Sequence, residues 1–283
     1  MDYTTLISCA EASKHLKNKG WRFIDCRFDL MNPDAGCELY QTDHIAGAVY
    51  AHLDEDLSSD IGPHTGRHPL PNVAVLVEQL CKWGIGNQTQ VVVYDNNIGM
   101  FASRLWWLLR WLGHDKVAVL DGGYMEWKDK GYPLSSEIPE VTPATFTPDV
   151  QEGWIVSAEQ IPDEQQHGKM LLDARAAERY RGDVEPIDTI AGHIPGALNY
   201  PLIENINEEG LFKERTCLRE QINAVIGEHG GPQVIHYCGS GVSACHNILA
   251  MEVAGLHGSR LYPGSWSEWI RDSNRGVAVG DDK

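Results

Sequence analysis

The sequence predicts an α/β protein in which one domain is written twice, each copy a mainly parallel sheet with helices on both faces. Three observations carry this. Four motifs recur in fixed order. Ile24-Asp25-Cys26-Arg27 returns as Leu172-Asp173-Ala174-Arg175, and His44-Ile45-Ala46-Gly47-Ala48-Val49 as His193-Ile194-Pro195-Gly196-Ala197-Leu198. Val91-Val92-Val93-Tyr94-Asp95 returns as Val234-Ile235-His236-Tyr237-Cys238. Asp121-Gly122-Gly123-Tyr124-Met125-Glu126-Trp127 returns, shifted by one, as Tyr262-Pro263-Gly264-Ser265-Trp266-Ser267-Glu268-Trp269. The offset stays between 142 and 149 residues, longer than any solenoid repeat and typical of duplicated domains. Short β-branched runs alternate with amphipathic helical periodicity in each copy, the signature of a parallel sheet covered by helices. A proline-rich stretch without helical period separates the copies.

In chain order, residues 1–134 form the first domain. Residues 73–83 and 101–112 read as helices, and 91–94 and 117–120 as strands. Residues 135–153 are expected to be a linker crossing the surface in extended form, since four prolines run from Pro133 to Pro148 inclusive. Residues 154–283 form the second domain. Its centre is the run from Val234 to Cys238, a strand, followed by Gly239-Ser240-Gly241-Val242-Ser243, a loop. A helix follows, with apolar residues Ala244, Ile248, Leu249, Met251 and Val253, closed by Gly255.

That strand–loop–helix is where chemistry is expected. Ligands of open α/β sheets sit beyond the carboxyl ends of the strands, where Cys238 falls. Glycines let successive N–H groups turn inward, and the helix that follows points its positive end at the same spot. A cysteine at the mouth of such a loop is expected to ionise readily and act as a nucleophile, and a thiol walled off from solvent would overturn the interpretation. The first copy has Asp95 in this place, so it is expected to be catalytically silent. Cys245, in the helix, is expected to be packed rather than reactive.

Bulk properties exclude several classes. The chain has 283 residues, with 23 basic against 40 acidic side chains and a net charge of −17. It carries no basic footprint for nucleic acid, and an anionic membrane surface would repel it. No stretch has transmembrane length. The seven cysteines show neither CxxC spacing nor a small disulfide scaffold, and no secretory leader is evident, so a reducing cytoplasm is expected. No metal or organic cofactor is implied, and a monomer is expected.

Taken together, two Asp-x-Arg … His-Ile-x-Gly-Ala … Gly-Gly/Gly-Ser … Glu-Trp modules with a cysteine only in the second resemble the tandem rhodanese-type sulfurtransferases over nearly the whole chain. The loop Cys238-Gly239-Ser240-Gly241-Val242-Ser243-Ala244 resembles the 3-mercaptopyruvate branch, since thiosulfate-preferring members carry basic residues after the cysteine. The resemblance implies that a sulfane sulfur passes from a small anionic donor to Cys238, giving a persulfide, and then to a thiol, cyanide or thioredoxin-like acceptor. The loop amides of Gly239, Gly241, Val242 and Ser243 would hold it.

Arg179 matches the family arginine that pairs with the donor's anionic group, and a guanidinium grips a carboxylate bidentately. A salt bridge to Glu178 or Glu185 is the alternative for it. The branch's second arginine follows a Glu-Pro pair. Here Glu185-Pro186 is followed by Ile187, with Arg181 as a substitute of unknown direction. The branch also implies a proton relay of Ser240, His68 and Asp56, with His64 and Asp54 as nearby alternatives. Arg27, Arg175, His44 and His193 repeat in both copies and read as scaffold. Two other activities remain: a thiosulfate:cyanide sulfurtransferase, which Ile187 favours, and a non-enzymatic sulfur carrier. A cysteine phosphatase would need an arginine where Ala244 stands.

Overall fold

The computed structural model describes residues 2–227 and 229–281. It falls into two compact units that do not follow chain order. Unit 1 comprises Met1–Ser59, Leu70–Gln151 and Glu208–Phe212, and unit 2 comprises Asp60–Pro69, Glu152–Asn207 and Lys213–Lys283. The short segment carrying Arg67 and His68 therefore groups with the later copy.

In unit 1 the strands are β1 (Leu6–Ser8), β2 (Trp21–Asp25), β3 (His44–Ile45), β4 (Val49–Tyr50), β5 (Gln90–Tyr94), β6 (Val117–Asp121) and β7 (Leu134–Ser135). Five of them form one sheet in the order β1-β6-β5-β2-β4, parallel throughout, while β3 and β7 pair antiparallel. Helices Val73–Lys82 and Ala102–Trp111 fall where periodicity places them.

Unit 2 has β8 (Met170–Asp173), β9 (Leu198–Asn199), β10 (Val234–Tyr237) and β11 (Arg260–Leu261), in the parallel order β11-β10-β8-β9. A single bridge from Ile155 to Leu261 stands where β1 stands beside β6. The order is that of unit 1 with its outer strand reduced to one residue pair.

The helices that follow β5 and β10 depart from the amphipathic expectation. Ala102–Trp111 and Ala244–Ala254 are buried on nearly every side, as befits the helix leaving a central strand. Polar groups on the second are met by hydrogen bonds: Asn205 Nδ2 donates to Asn247 Oδ1 at 2.8 Å, and Asn247 Nδ2 to the Tyr200 carbonyl at 2.8 Å. Gly255 closes that helix in the left-handed conformation, at φ 74°.

The linker is extended, as its prolines require, and it is strapped to unit 1. Leu134–Ser135 pairs with β3, Ala144 N–H donates to the Cys81 carbonyl at 3.0 Å, and Asn87 and Thr147 exchange two hydrogen bonds. Phe146 is buried there.

The repeated Asp-x-Arg and His motifs build one closed network in each unit. Arg27 forks onto Asp25 at 2.7–3.1 Å and donates to the Asp43 carbonyl, and Arg175 forks onto Asp173 at 2.7–3.1 Å and donates to the Gly192 carbonyl. The tyrosine ending each central strand accepts an N–H from the His-Ile motif: Tyr94 from Ile45 at 3.2 Å, Tyr237 from Ile194 at 3.3 Å. His44 stacks on Tyr40 and His193 on Tyr180. These buried charges are satisfied inside the fold, which suits a scaffold.

Tyr94 Oη also donates to Asp25 Oδ2 at 2.9 Å. Replacing Tyr94 with Phe leaves a buried N–H and a carboxylate oxygen short of partners. Denaturant unfolding is expected to show a loss of about 1–3 kcal/mol, and an unchanged midpoint would show that the network does not carry the fold.

Candidate active site

Cys238 follows β10 and opens the loop 239–243. Its Sγ accepts the Gly241 N–H at 3.1 Å. Gly241 sits at φ +79°, and a side-chain carbon there would come within 2.2 Å of the Pro263 carbonyl oxygen, so only glycine turns this amide toward the sulfur. Among the described residues the N–H groups of Gly239, Ser240, Val242 and Ser243 donate to no protein acceptor.

The equivalent loop of unit 1 already holds an anion. Asp95 Oδ1 accepts the N–H groups of Asn97 and Gly99 at 3.2 and 2.9 Å, and Oδ2 those of Phe101 and Ala102 at 2.8 and 3.3 Å. The Tyr124 N–H donates to the Asp95 carbonyl as the Trp266 N–H donates to that of Cys238. The Asp95 loop is one residue longer before its helix begins. Burial raises the pKa of Asp95, and the four N–H groups oppose that shift.

The exposure of Cys238 differs from the sequence expectation. It is 1 % exposed, not open at the mouth of the loop. The turn 263–267 lies on the loop: Trp266 and Ser267 N–H donate to the carbonyls of Cys238 and Gly239, and Ser265 Oγ accepts the Cys238 N–H at 3.1 Å. Side chains also stand over it. A carbon at Gly239 would lie 2.9 Å from Arg67 Nη2 and 3.7 Å from both terminal nitrogens of Arg179. Reaching the thiol requires some of this cover to move.

The structure brings Ser240 and His68 together, Oγ to Nδ1 at 2.7 Å, both nearly buried. Asp56 lies in unit 1, where its Oδ2 accepts the His52 N–H at 2.8 Å and burial raises its pKa. Arg179, in helix Ala177–Arg181, is both against the loop and ion-paired. It donates to Glu185 Oε1 at 2.7 Å and Oε2 at 3.2 Å, and to Asp188 Oδ2 at 3.3 Å. Arg181 pairs with Asp183 at 2.8 Å. Val242 is buried and Ser243 half-buried, and Cys245 is buried with its Sγ on the Gly241 carbonyl. His236, inside β10, is pushed by burial to about 3, which removes it as a proton carrier near neutrality.

Among the described residues the seven cysteines are not joined by disulfides. Among the described residues no cluster of metal-ligating side chains occurs, and no helix is long and apolar enough to cross a membrane.

The rhodanese-like domain model matches residues 8–130 and again 157–272. The chain belongs to the rhodanese-like family, among its tandem sulfurtransferases. It is 42 % identical over 284 aligned positions to the probable 3-mercaptopyruvate sulfurtransferase of Pseudomonas aeruginosa, covering 99 % of this chain and 100 % of that one. It is 39 % identical to the putative thiosulfate sulfurtransferase SseB of Mycobacterium tuberculosis, over 91 % of this chain and 90 % of that one. The solved 3-mercaptopyruvate sulfurtransferase from Leishmania major is similar at TM-score 0.83 and 31 % identity, over 94 % of this chain and 74 % of that chain.

Three residues of the rhodanese-like site were missed in the sequence. Arg67 and Asp188 meet over the loop from positions far apart in the chain. Ser265 is the one described non-glycine residue at positive φ, 55°. Its counterpart Gly123 has φ 60°, so the Gly-Gly to Gly-Ser change in the repeated motif was a legible signal. The Ser265 hydroxyl donates to the Tyr262 carbonyl while accepting from Cys238, fixing the backbone of Cys238.

Holding Ser265 left-handed costs about 1–2 kcal/mol. Thermal unfolding is expected to rank Ser265→Gly above Ser265→Ala by about 1 kcal/mol, the reverse of their helix propensities. An alanine variant as stable as the glycine variant would remove the strain from the account.

Proposed function

We propose that this sulfurtransferase takes 3-mercaptopyruvate as donor and carries its sulfur as a Cys238 persulfide. The observation that supports this most is the Gly241 N–H on Cys238 Sγ, within a loop whose twin wraps four amides around the Asp95 carboxylate. The same backbone serves a thiolate and the persulfide that replaces it.

In the first half-reaction the Cys238 thiolate attacks the donor sulfur, forming an S–S bond. The donor's C–S bond breaks, its electron pair staying with the pyruvate enolate, which takes a proton and leaves as pyruvate. Ser240, hydrogen-bonded to His68, is placed in the loop to deliver that proton. A thiol, cyanide or thioredoxin-like acceptor then attacks the outer sulfur, and Cys238 leaves again as thiolate. Arg179 holds the donor's carboxylate. Residues 239–243 add no cationic side chain to the loop, which favours a monocarboxylate donor over a dianion.

Two observations favour thiosulfate. Ile187 stands where the mercaptopyruvate branch places its second arginine, and the Mycobacterium tuberculosis relative bears a thiosulfate name. Steady-state rates with both donors on one preparation decide between them: kcat/KM is expected to be higher for 3-mercaptopyruvate, and a preference for thiosulfate would reverse the assignment.

Cys238→Ser is expected to abolish turnover. Ser240→Ala is expected to slow pyruvate release by about 10²-fold or more, with the donor KM little changed. A Ser240→Ala enzyme at wild-type speed would place the proton donor elsewhere.

A further inference from the structure

Unit 1 carries a cavity of about 450 Å³ at the start of β2, at the opposite end of the strands from the Asp95 loop. All its lining residues belong to unit 1. β5 pairs with β2 from Trp21 to Asp25, whereas β4 pairs only with Ile24 and Asp25. The cavity lies against Trp21, Arg22 and Phe23, the residues of β2 that β4 leaves without a partner on that side.

Arg22 is the chemical centre of this cavity. The residue is half-buried, and its Nε is enclosed with no hydrogen-bond partner. Among the described residues its guanidinium makes no ion pair. Burial lowers its pKa from the usual arginine value, and no group of the protein opposes that shift. Arg27 and Arg175, by contrast, end on carboxylates. Lys17 and Lys19 stand exposed at the rim of the cavity, and among the described residues neither has an ion-pair partner. Glu140 lines the cavity too and pairs with none of the three. In a chain of net charge −17, three unpaired cations on one cavity run against the overall field.

The duplication separates this charge from the frame of the fold. With Asp25 set on Asp173, Lys17, Lys19 and Arg22 fall on Gln165, His167 and Met170. The same strand is thus built in unit 2 with an apolar side chain at the arginine position. A half-buried guanidinium without a partner carries a desolvation cost that methionine avoids, and a bound anion would offset it.

We propose that this cavity is a binding site for a doubly charged oxyanion of the phosphate class, held by Arg22 with Lys17 and Lys19 at its rim. Three cations against the one carboxylate of Glu140 leave two positive charges, which a phosphoryl dianion neutralises. The planar fork of a guanidinium matches two phosphate oxygens. The cavity also falls in the size range of small-molecule sites, about 300–1,000 Å³, and Leu16, Trp21 and Pro139 set apolar surface beside the cations. Free phosphate and the phosphoryl group of a small molecule share this chemistry.

The test is calorimetric titration of the full chain at pH 8 and constant ionic strength with inorganic phosphate, phenyl phosphate and benzoate. Phenyl phosphate is expected to fill one site that Arg22→Met weakens about tenfold or more and Arg179→Met leaves in place. Benzoate, with the same ring and a single charge, is expected to bind there at least about tenfold more weakly. Phenyl phosphate binding more tightly than phosphate assigns the site to a phosphorylated molecule, and equal affinity assigns it to the free oxyanion; both outcomes support it. A thermal melt checks the fold of Arg22→Met. Should that variant not fold, Lys17→Gln/Lys19→Gln on the surface takes its place, with an expected loss of about fivefold. Failure of both phosphates to bind would overturn the proposal, as would unchanged affinity in the folded variant. So would benzoate binding as tightly as phenyl phosphate. Loss of the site in Arg179→Met would move the anion to the Cys238 loop and overturn it as well.

Discussion

The constraint on which the rest of this protein depends is a ring of backbone amides at the end of a buried strand. Such a ring cannot form by chance. It needs a strand that stops, a turn that points several N–H groups inward, and a helix that begins at once with its positive end facing the same way. The chain has this strand, loop and helix in both units. In unit 1 the ring closes on the carboxylate of Asp95. In unit 2 the side chain is a thiol, and one amide already rests on its sulfur. A carboxylate and a thiolate ask the same of a backbone; only the second can attack.

Precision in that ring comes from the layers beneath it. Each central strand ends in a tyrosine tied to an Asp-Arg fork and to the His-Ile turn, so the position of the strand's last residue is set by buried, satisfied charge. From above, the turn bearing Ser265 ties down the backbone of Cys238 at the expense of a left-handed serine. Backbone strain at such a place is a common companion of function. The polar chemistry of the site is therefore carried largely by main-chain groups, with Ser240 and His68 as the side-chain pair beside them.

Much of this was legible in the sequence because it is local or repeated. The strand 234–237, the helix 244–254 and its Gly255 cap follow from period and composition over a few residues, and the duplication set Cys238 in the place of Asp95. The meeting of Ser240 with His68 was reached through resemblance to a family. Arg67 and Asp188 were not legible, since neither lies in a repeated motif and their meeting depends on Asp60–Pro69 grouping with unit 2. Burial of Cys238 escaped for the same reason: composition marks a loop, and only tertiary packing says what lies on it. The helices after β5 and β10 were expected to be amphipathic, yet central placement buried their polar residues too, with internal partners in place of water.

The covering side chains and the amide ring form one device, in which paired charges shield a thiol that stays close to its stabilising donors. Where the sulfur goes is the most direct question to put to it. Intact-mass measurement after brief exposure to 3-mercaptopyruvate, followed by peptide mapping, answers it without relying on any acceptor. The account predicts a gain of one sulfur atom, located on Cys238 and absent from the other six cysteines. Sulfur found on Cys245 or another thiol, or no gain on a folded protein, would contradict it.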